Sequence, residues 1–308
     1  MDTVLQPGVG QVVVGVDGRT RSASALRRAA EVAQETGVPL RLVHVTPSVV
    51  LDGAGDVAAA GEAIATAVLD GATAVVEGRR PGLAVRRTHR VGSRADGLAR
   101  AAGPDGLVVL GRAHREGPVW WPHGSLAASV AARHTGPVLV VPEVGDESAT
   151  HGRVVVGSTA SGTAEPGLAT LFDWAERHDA TLVFVHAWWA PDPYVDVAEQ
   201  RTHAVEHEER TLTRLQRTLA PHRAAHPEVP VEVRVRHGRP VHVLLAESDG
   251  ADLLVLPREH THRWLPGHVG TTTRALLRES SVPVLLLAAY AAGPAGDLSL
   301  EDRGELVR

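Results

Sequence analysis

The 308-residue chain contains no cysteine, no lysine and no asparagine. Without cysteine there is no thiol nucleophile, no disulfide and no thiolate metal site, and such a chain suits a reducing compartment. A cytoplasmic protein is therefore expected. All 31 basic residues are arginine, which excludes Schiff-base chemistry and a Walker-type phosphate lysine, whatever glycine loops occur. Against them stand 36 acidic residues, giving a net charge of -5. With no block of like charge and no basic patch, a nucleic-acid partner is not expected. The longest apolar run near either end, "VPVLLLAAYAA" from Val282, falls well short of the roughly 18 residues that span a bilayer. The opening "MDTVLQPGVG" has neither the basic region nor the apolar core of a signal segment, so no membrane partner is expected.

What is present is a repeat. "QVVVGVDGRT" from Gln11 matches "RVVVGSTASG" from Arg153, and "VPLRLVHV" matches "ATLVFVHA", both at an offset of 142. Later segments match at 146: "HRVGSRADGLARAAGPDGLVVLG" with "VRHGRPVHVLLAESDGADLLVLP", then "HGSLAASVAARHTGPVLVVP" with "HVGTTTRALLRESSVPVLLLA". The second copy thus holds four extra residues around its middle helix. Short Val/Leu runs at 11–16, 40–45, 84–88, 107–110 and 138–141 have strand length and composition, and copy two repeats them at 153–157, 181–187, 231–236, 253–256 and 284–288. Alanine-rich helical segments lie between. "SASALRRAAEVAQETG" offers serines for an N-cap and Gly37 for a C-cap. The second helix of copy two is expected as one long charged helix over about 195–225.

Apolar strands alternating with helices predict an α/β fold of two tandem doubly wound domains. Each is a five-stranded parallel sheet of order 3-2-1-4-5 with helices on both faces. Domain 1 is expected over residues 10–142 and domain 2 over 152–290, followed by a flexible tail at 291–308. Ligands of such sheets bind outside the carboxyl ends of the strands where the order reverses. In copy one those ends lead to Asp17 and to "GRAHREGPVWWPHGSLAAS" from Gly111.

These residues resemble the universal stress protein family in a tandem two-domain form. The family pattern is Asp after the first strand, then, after the fourth, glycine, two residues, glycine, nine residues, and glycine followed by Ser or Thr. Copy one presents Asp17, Gly111, His114, Gly124 and Ser125 at that spacing, lacking only the second glycine. Copy two presents Thr159, Pro257, His260, Gly270 and Thr271, so the Asp and both early glycines are gone. The resemblance implies ATP with Mg2+ as the ligand. It places Val16, Asp17 and Val45 on the nucleoside side and Gly111, Arg112, His114, Gly124, Ser125 and Leu126 along the phosphates. It also implies that the apolar last strands pair about a pseudo-twofold axis, and it allows for a homodimer and for a protein partner whose identity the residues do not give.

Other readings of the same residues stand beside these. Asp17 suits a turn before the next helix, and Ser125 suits a simple N-cap. A β-carbon at His114 obstructs a phosphate or bends the loop away, unless His114 and Arg112, matched by His260 and Arg258, replace the lost glycine contacts. Trp120 and Trp121 fit a packed plug or a lid, and "HAVEH" at His203 to His207 follows the order of inverted zinc peptidases on what reads as a solvated helix face. "GSTASGT" from Gly157 lacks lysine and suits capping by Ser161 or Thr163. No base is poised to activate water, so the chain is not expected to be an enzyme, and any ATP hydrolysis is expected to be slow and incidental. The two functional expectations are a stress-response ATP binder with one competent site and a nucleotide-independent scaffold with both sites degenerate.

Overall fold

The computed structural model describes residues 9–18, 22–48, 55–112, 125–143, 151–158, 165–258 and 269–287. Domain 1 runs β1 (Val12–Gly15), α1 (Ala23–Thr36), β2 (Leu40–Thr46), α2 (Gly55–Arg79), β3 (Val85–Val91), α3 (Arg94–Ala102), β4 (Leu107–Arg112), α4 (Leu126–Ala131) and β5 (Val138–Pro142). Domain 2 runs β6 (Arg153–Ser158), α5 (Glu165–Arg177), β7 (Thr181–Trp188), α6 (Pro193–Thr202), α7 (Ala204–Ala225), β8 (Val231–His237), α8 (Pro240–Ser248), β9 (Leu253–Leu256), α9 (Thr271–Glu279) and β10 (Val284–Leu286).

The strands form one ten-stranded sheet of order β3-β2-β1-β4-β5-β10-β9-β6-β7-β8. Each half is parallel and has the expected order. The halves join where β5 and β10 pair antiparallel, with Leu139 opposite Leu285 and Val140 opposite Val284. This pairing covers the two apolar edges that a separated domain would leave as templates for aggregation. The outer edges are defended differently: β3 and β8 carry Arg86, Arg87, Arg90, Arg234 and Arg236.

Period-2 alternation sends Val12 and Val14 to one face and Val13 to the other, all fully buried. One core, under α1, α2, α5 and α7, includes Leu40, Leu42, Leu171, Phe172 and Phe184, and the other, under α3, α4, α8 and α9, includes Leu98, Val130, Leu254 and Leu276. Both cores run through the junction between the halves. At about 25 cal/mol per Å2 of apolar burial, these two continuous layers dominate the stability.

The long helices differ in their outer faces. Residues 59–79 of α2 are long and apolar enough to cross a membrane, with mean hydropathy 1.4 over 18 residues, the one such helix among the described residues. Its inner residues Gly61, Ala65, Leu69, Ala72 and Val76 are buried, and it packs on β2 and β3. Its counterpart α7 turns Glu206, Arg210 and Arg217 outward.

Two expectations change in detail. The charged segment of copy two is two helices rather than one, broken at His203 (φ -126°, ψ 0°). Tertiary bonds of α6, described below, fix its separate direction, and the extra residues of copy two lie here. At α1, Gly37 closes the helix as expected, but Ser22 at the N-cap makes no side-chain cap hydrogen bond. The expected tail at 291–308 and the caps Ser161 and Thr163 lie outside the described residues.

Candidate functional site

In domain 1 the order reverses at β1, which pairs with β2 on one side and β4 on the other. The chain just past β1 is fixed through its backbone. Val16 N–H donates to Val43 O at 2.9 Å, and Val16 O accepts a hydrogen bond from His44 Nδ1 at 2.8 Å. Because a carbonyl only accepts, His44 carries its proton on Nδ1 here. Asp17 follows, exposed at the strand end. Gly18 then turns the chain at φ +72°, where a β-carbon would also sit 3.0 Å from Val68; both facts select glycine.

The structure brings Val16, Asp17 and Val45 to this end of the sheet but separates their side chains. Val16 packs into the α1/α2 core and Val45 into the α3 core. Val45 reaches so far toward α3 that a β-carbon on Gly97 would lie 2.9 Å from it. Asp17 is thus the exposed side chain of the three. Beside them Thr46 Oγ1 and His89 Nε2 are 2.9 Å apart.

At the end of β4, Gly111 and Arg112 are strand residues, paired with Val141 and Pro142, so the strand runs two residues beyond the 107–110 expected. Both are half-buried. Burial lowers the pKa of Arg112, and among the described residues its guanidinium has no hydrogen-bond or ion-pair partner. Ser125 is exposed and caps α4, its Oγ accepting from Ala128 N–H at 3.4 Å, and Leu126 is 39% exposed. The capping reading of Ser125 therefore holds, and it leaves the residue facing solvent. His114, Gly124, Trp120 and Trp121 lie outside the described residues.

The same end of domain 2 is built otherwise. His186 repeats the device of His44, with Nδ1 3.1 Å from Ser158 O. Burial holds its pKa below the ordinary histidine value, and the charge of Arg214 adds to the depression. Where domain 1 has Thr46, domain 2 has Trp188, whose ring lies 4.8 Å from that of His207 and 4.4 Å from that of His237. Asp196 of α6 accepts from Ala190 N–H and from His237 Nε2, each at 2.9 Å. The Ala190 bond first, then His237, lowers the Asp196 pKa. These bonds fasten α6 across the ends of β7 and β8. They also separate the "HAVEH" histidines: His207 meets Trp188, whereas His203 sits exposed beside Glu199 at 3.3 Å. Thr159 and His260 lie outside the described residues.

Arg258, matched to Arg112, does not face a phosphate loop. Its guanidinium crosses into domain 1 and donates to Ala131 O at 3.1 Å, to Gly136 O at 2.5 Å and to His134 O. The reading in which Arg258, with His260, replaces glycine contacts to phosphate is corrected: the guanidinium is engaged by these carbonyls. The end of α4 offers carbonyls without intrahelical partners, and these outcompete solvent for a planar cation.

His44 and His186 are not among the expected site residues, although the matched histidines of "VPLRLVHV" and "ATLVFVHA" are a usable signal. Arg258's destination had no such signal.

Comparison with known proteins follows the same division. The family model described as "Universal stress protein family" matches residues 8–142 and again 150–288. A universal stress protein of Mycobacterium tuberculosis is 29% identical over 311 residues, covering 89% of this chain and 94% of the relative. One from Mycolicibacterium smegmatis is 29% identical over 290 residues, covering 90% and 96%. The crystal structure of a universal stress protein from Archaeoglobus fulgidus superposes with a TM-score of 0.63 at 16% identity, covering 91% of this chain and 98% of that one.

Proposed function

Since the chain belongs to the universal stress protein family, we propose that it is a cytoplasmic stress-response regulator that binds ATP with Mg2+ at one site, in domain 1. The observation that carries this reading is the half-buried Arg112 guanidinium at the point of strand reversal, without a protein partner among the described residues. A desolvated cation in that place favours an anion, and charge-assisted bonds to phosphate are the strong ones. Asp17, exposed at the end of β1, supplies an acceptor for sugar hydroxyls. Gly111, His114, Gly124, Ser125 and Leu126 complete the phosphate side by the family pattern. The proposed role is binding, not turnover: the bound nucleotide changes the surface that this end of domain 1 shows to a protein partner.

For domain 2 a different reading is supported. Trp188, His207, His237 and Asp196 occupy the strand ends with contacts among themselves, and Arg258 is engaged elsewhere. We assign it no nucleotide.

Thermal unfolding with MgATP tests the proposal. Stabilisation that rises with the logarithm of MgATP concentration above Kd, to about 2.7 kcal/mol at a hundred times Kd, is expected, abolished or strongly weakened in Arg112→Ala. No stabilisation of the native chain at millimolar MgATP would replace this reading with the nucleotide-independent scaffold.

A further inference from the structure

We infer that Arg258, just past β9 where the phosphate pattern is lost, holds the neighbouring domain instead, as a positioning residue for α4. Its consequence for nucleotide affinity rests on the reading above; the holding itself does not.

The geometry is one-directional. Arg258 supplies donors to three carbonyls, of Ala131 at the end of α4 and of His134 and Gly136 in the turn that leads from it to β5. The last carbonyls of a helix lack intrahelical donors and carry the negative end of its dipole. A guanidinium, with five donors in one plane, serves several at once where an ammonium does not. Burial lowers the Arg258 pKa to about 10, which leaves it charged at neutral pH.

The turn it grips is packed from the domain 1 side as well. His134 Nε2–H donates to Gly106 O at 2.8 Å, and a β-carbon on Gly136 would lie 2.7 Å from Pro104 O. In domain 2 the matched positions, 146 residues on, are Leu277, Ser280 and Val282. There Ser280 closes the turn alone: its Oγ donates to Val282 O at 2.9 Å and accepts from Val282 N–H at 3.3 Å. Helix α9 therefore needs no arginine from domain 1, which leaves Arg112 uncommitted. Because α4 has six residues and rises about 1.5 Å per residue, a shift at its gripped end reaches Ser125 with little loss.

Hydrogen exchange on the full-length chain, with MgATP titration in parallel, tests this. In Arg258→Ala, exchange over residues 126–137 should quicken about tenfold or more, while the matched residues 272–283 keep their rate. Arg258→Lys, which keeps the charge, should fall between and reports if the alanine variant does not fold. Arg278→Ala, removing an exposed cation of α9, should change neither segment. Unchanged exchange over 126–137, or equal quickening of both segments, would overturn the inference. MgATP affinity should weaken about tenfold in folded Arg258→Ala, and equal affinity would remove the link to the site. A native chain that binds no ATP defeats the nucleotide reading alone, since the exchange still decides whether Arg258 holds α4.

Discussion

Arg112 and Arg258 stand at matched places, each just past the apolar stretch of the fourth strand of its domain, yet they have opposite circumstances. Arg112 is half-buried with no partner among the described residues, and Arg258 is anchored on three carbonyls of the other domain. Around them the domains agree: the strand order is the same, and His44 and His186 bond to matched carbonyls. The contrast teaches that these copies diverged by exchanging partners of polar groups at the strand ends. The cores kept their pattern, because changing buried apolar volume costs several kcal/mol at a time.

The largest effect that could break the comparison comes from the shared seam. Leu285, 1% exposed and opposite Leu139, replaced by Asp should cost about 4 kcal/mol or more. Urea unfolding should then resolve two transitions, and a single transition at the native midpoint would show the halves independent of the seam. An effect at least as large as that of Arg258→Ala is expected from Gly136→Val, which copies Val282 into domain 1 and sets a β-carbon 2.7 Å from Pro104 O and 2.8 Å from Gly106 O; it should cost about 3 kcal/mol. Next come the two arginines. Arg258→Ala should destabilise by about 2 to 3 kcal/mol, whereas Arg112→Ala should stay within about 0.5 kcal/mol of the native chain and lose ATP affinity. Equal stability losses would erase the distinction.

The smallest concerns pH. Burial, reinforced by the charge of Arg258 and opposed by the Gly106 carbonyl bond, holds His134 below the ordinary 6.5. The unfolded chain therefore takes up a proton that the folded chain refuses, so stability falls as pH drops below 6.5 toward the folded value and is level above it. His134→Ser, copying Ser280, should shrink the stability lost between about pH 7 and about pH 5.5. Part should persist, since His186 is depressed in the same direction.

The fold was legible because its signal is local and doubled. Val12 to Val14 and Val154 to Val156 are apolar runs bounded by turns, and "PVLVVP" and "PVLLLA" announced edges that water would not tolerate. Ser125 was legible as a cap for the same local reason. The break at His203 was not, because the residues on both sides favour helix; it is set by Asp196 reaching His237 and Ala190, contacts made only when β7 and β8 stand side by side. Nor was the role of Arg258 legible: its spacing is that of a phosphate-loop arginine, and the end of α4 that redirects it lies more than a hundred residues away.

The antiparallel contact of β5 with β10 also sets a stoichiometry. Two separate chains meeting through such strands would part on dilution and could re-pair with either kind of half. Joined in one chain, the contact is first order, its strength independent of protein concentration, and every molecule carries one half of each kind. Under the one-site proposal for domain 1, a titration of this protein should level off at one ligand per chain at any dilution, with no mixed population of doubly filled and empty pairs.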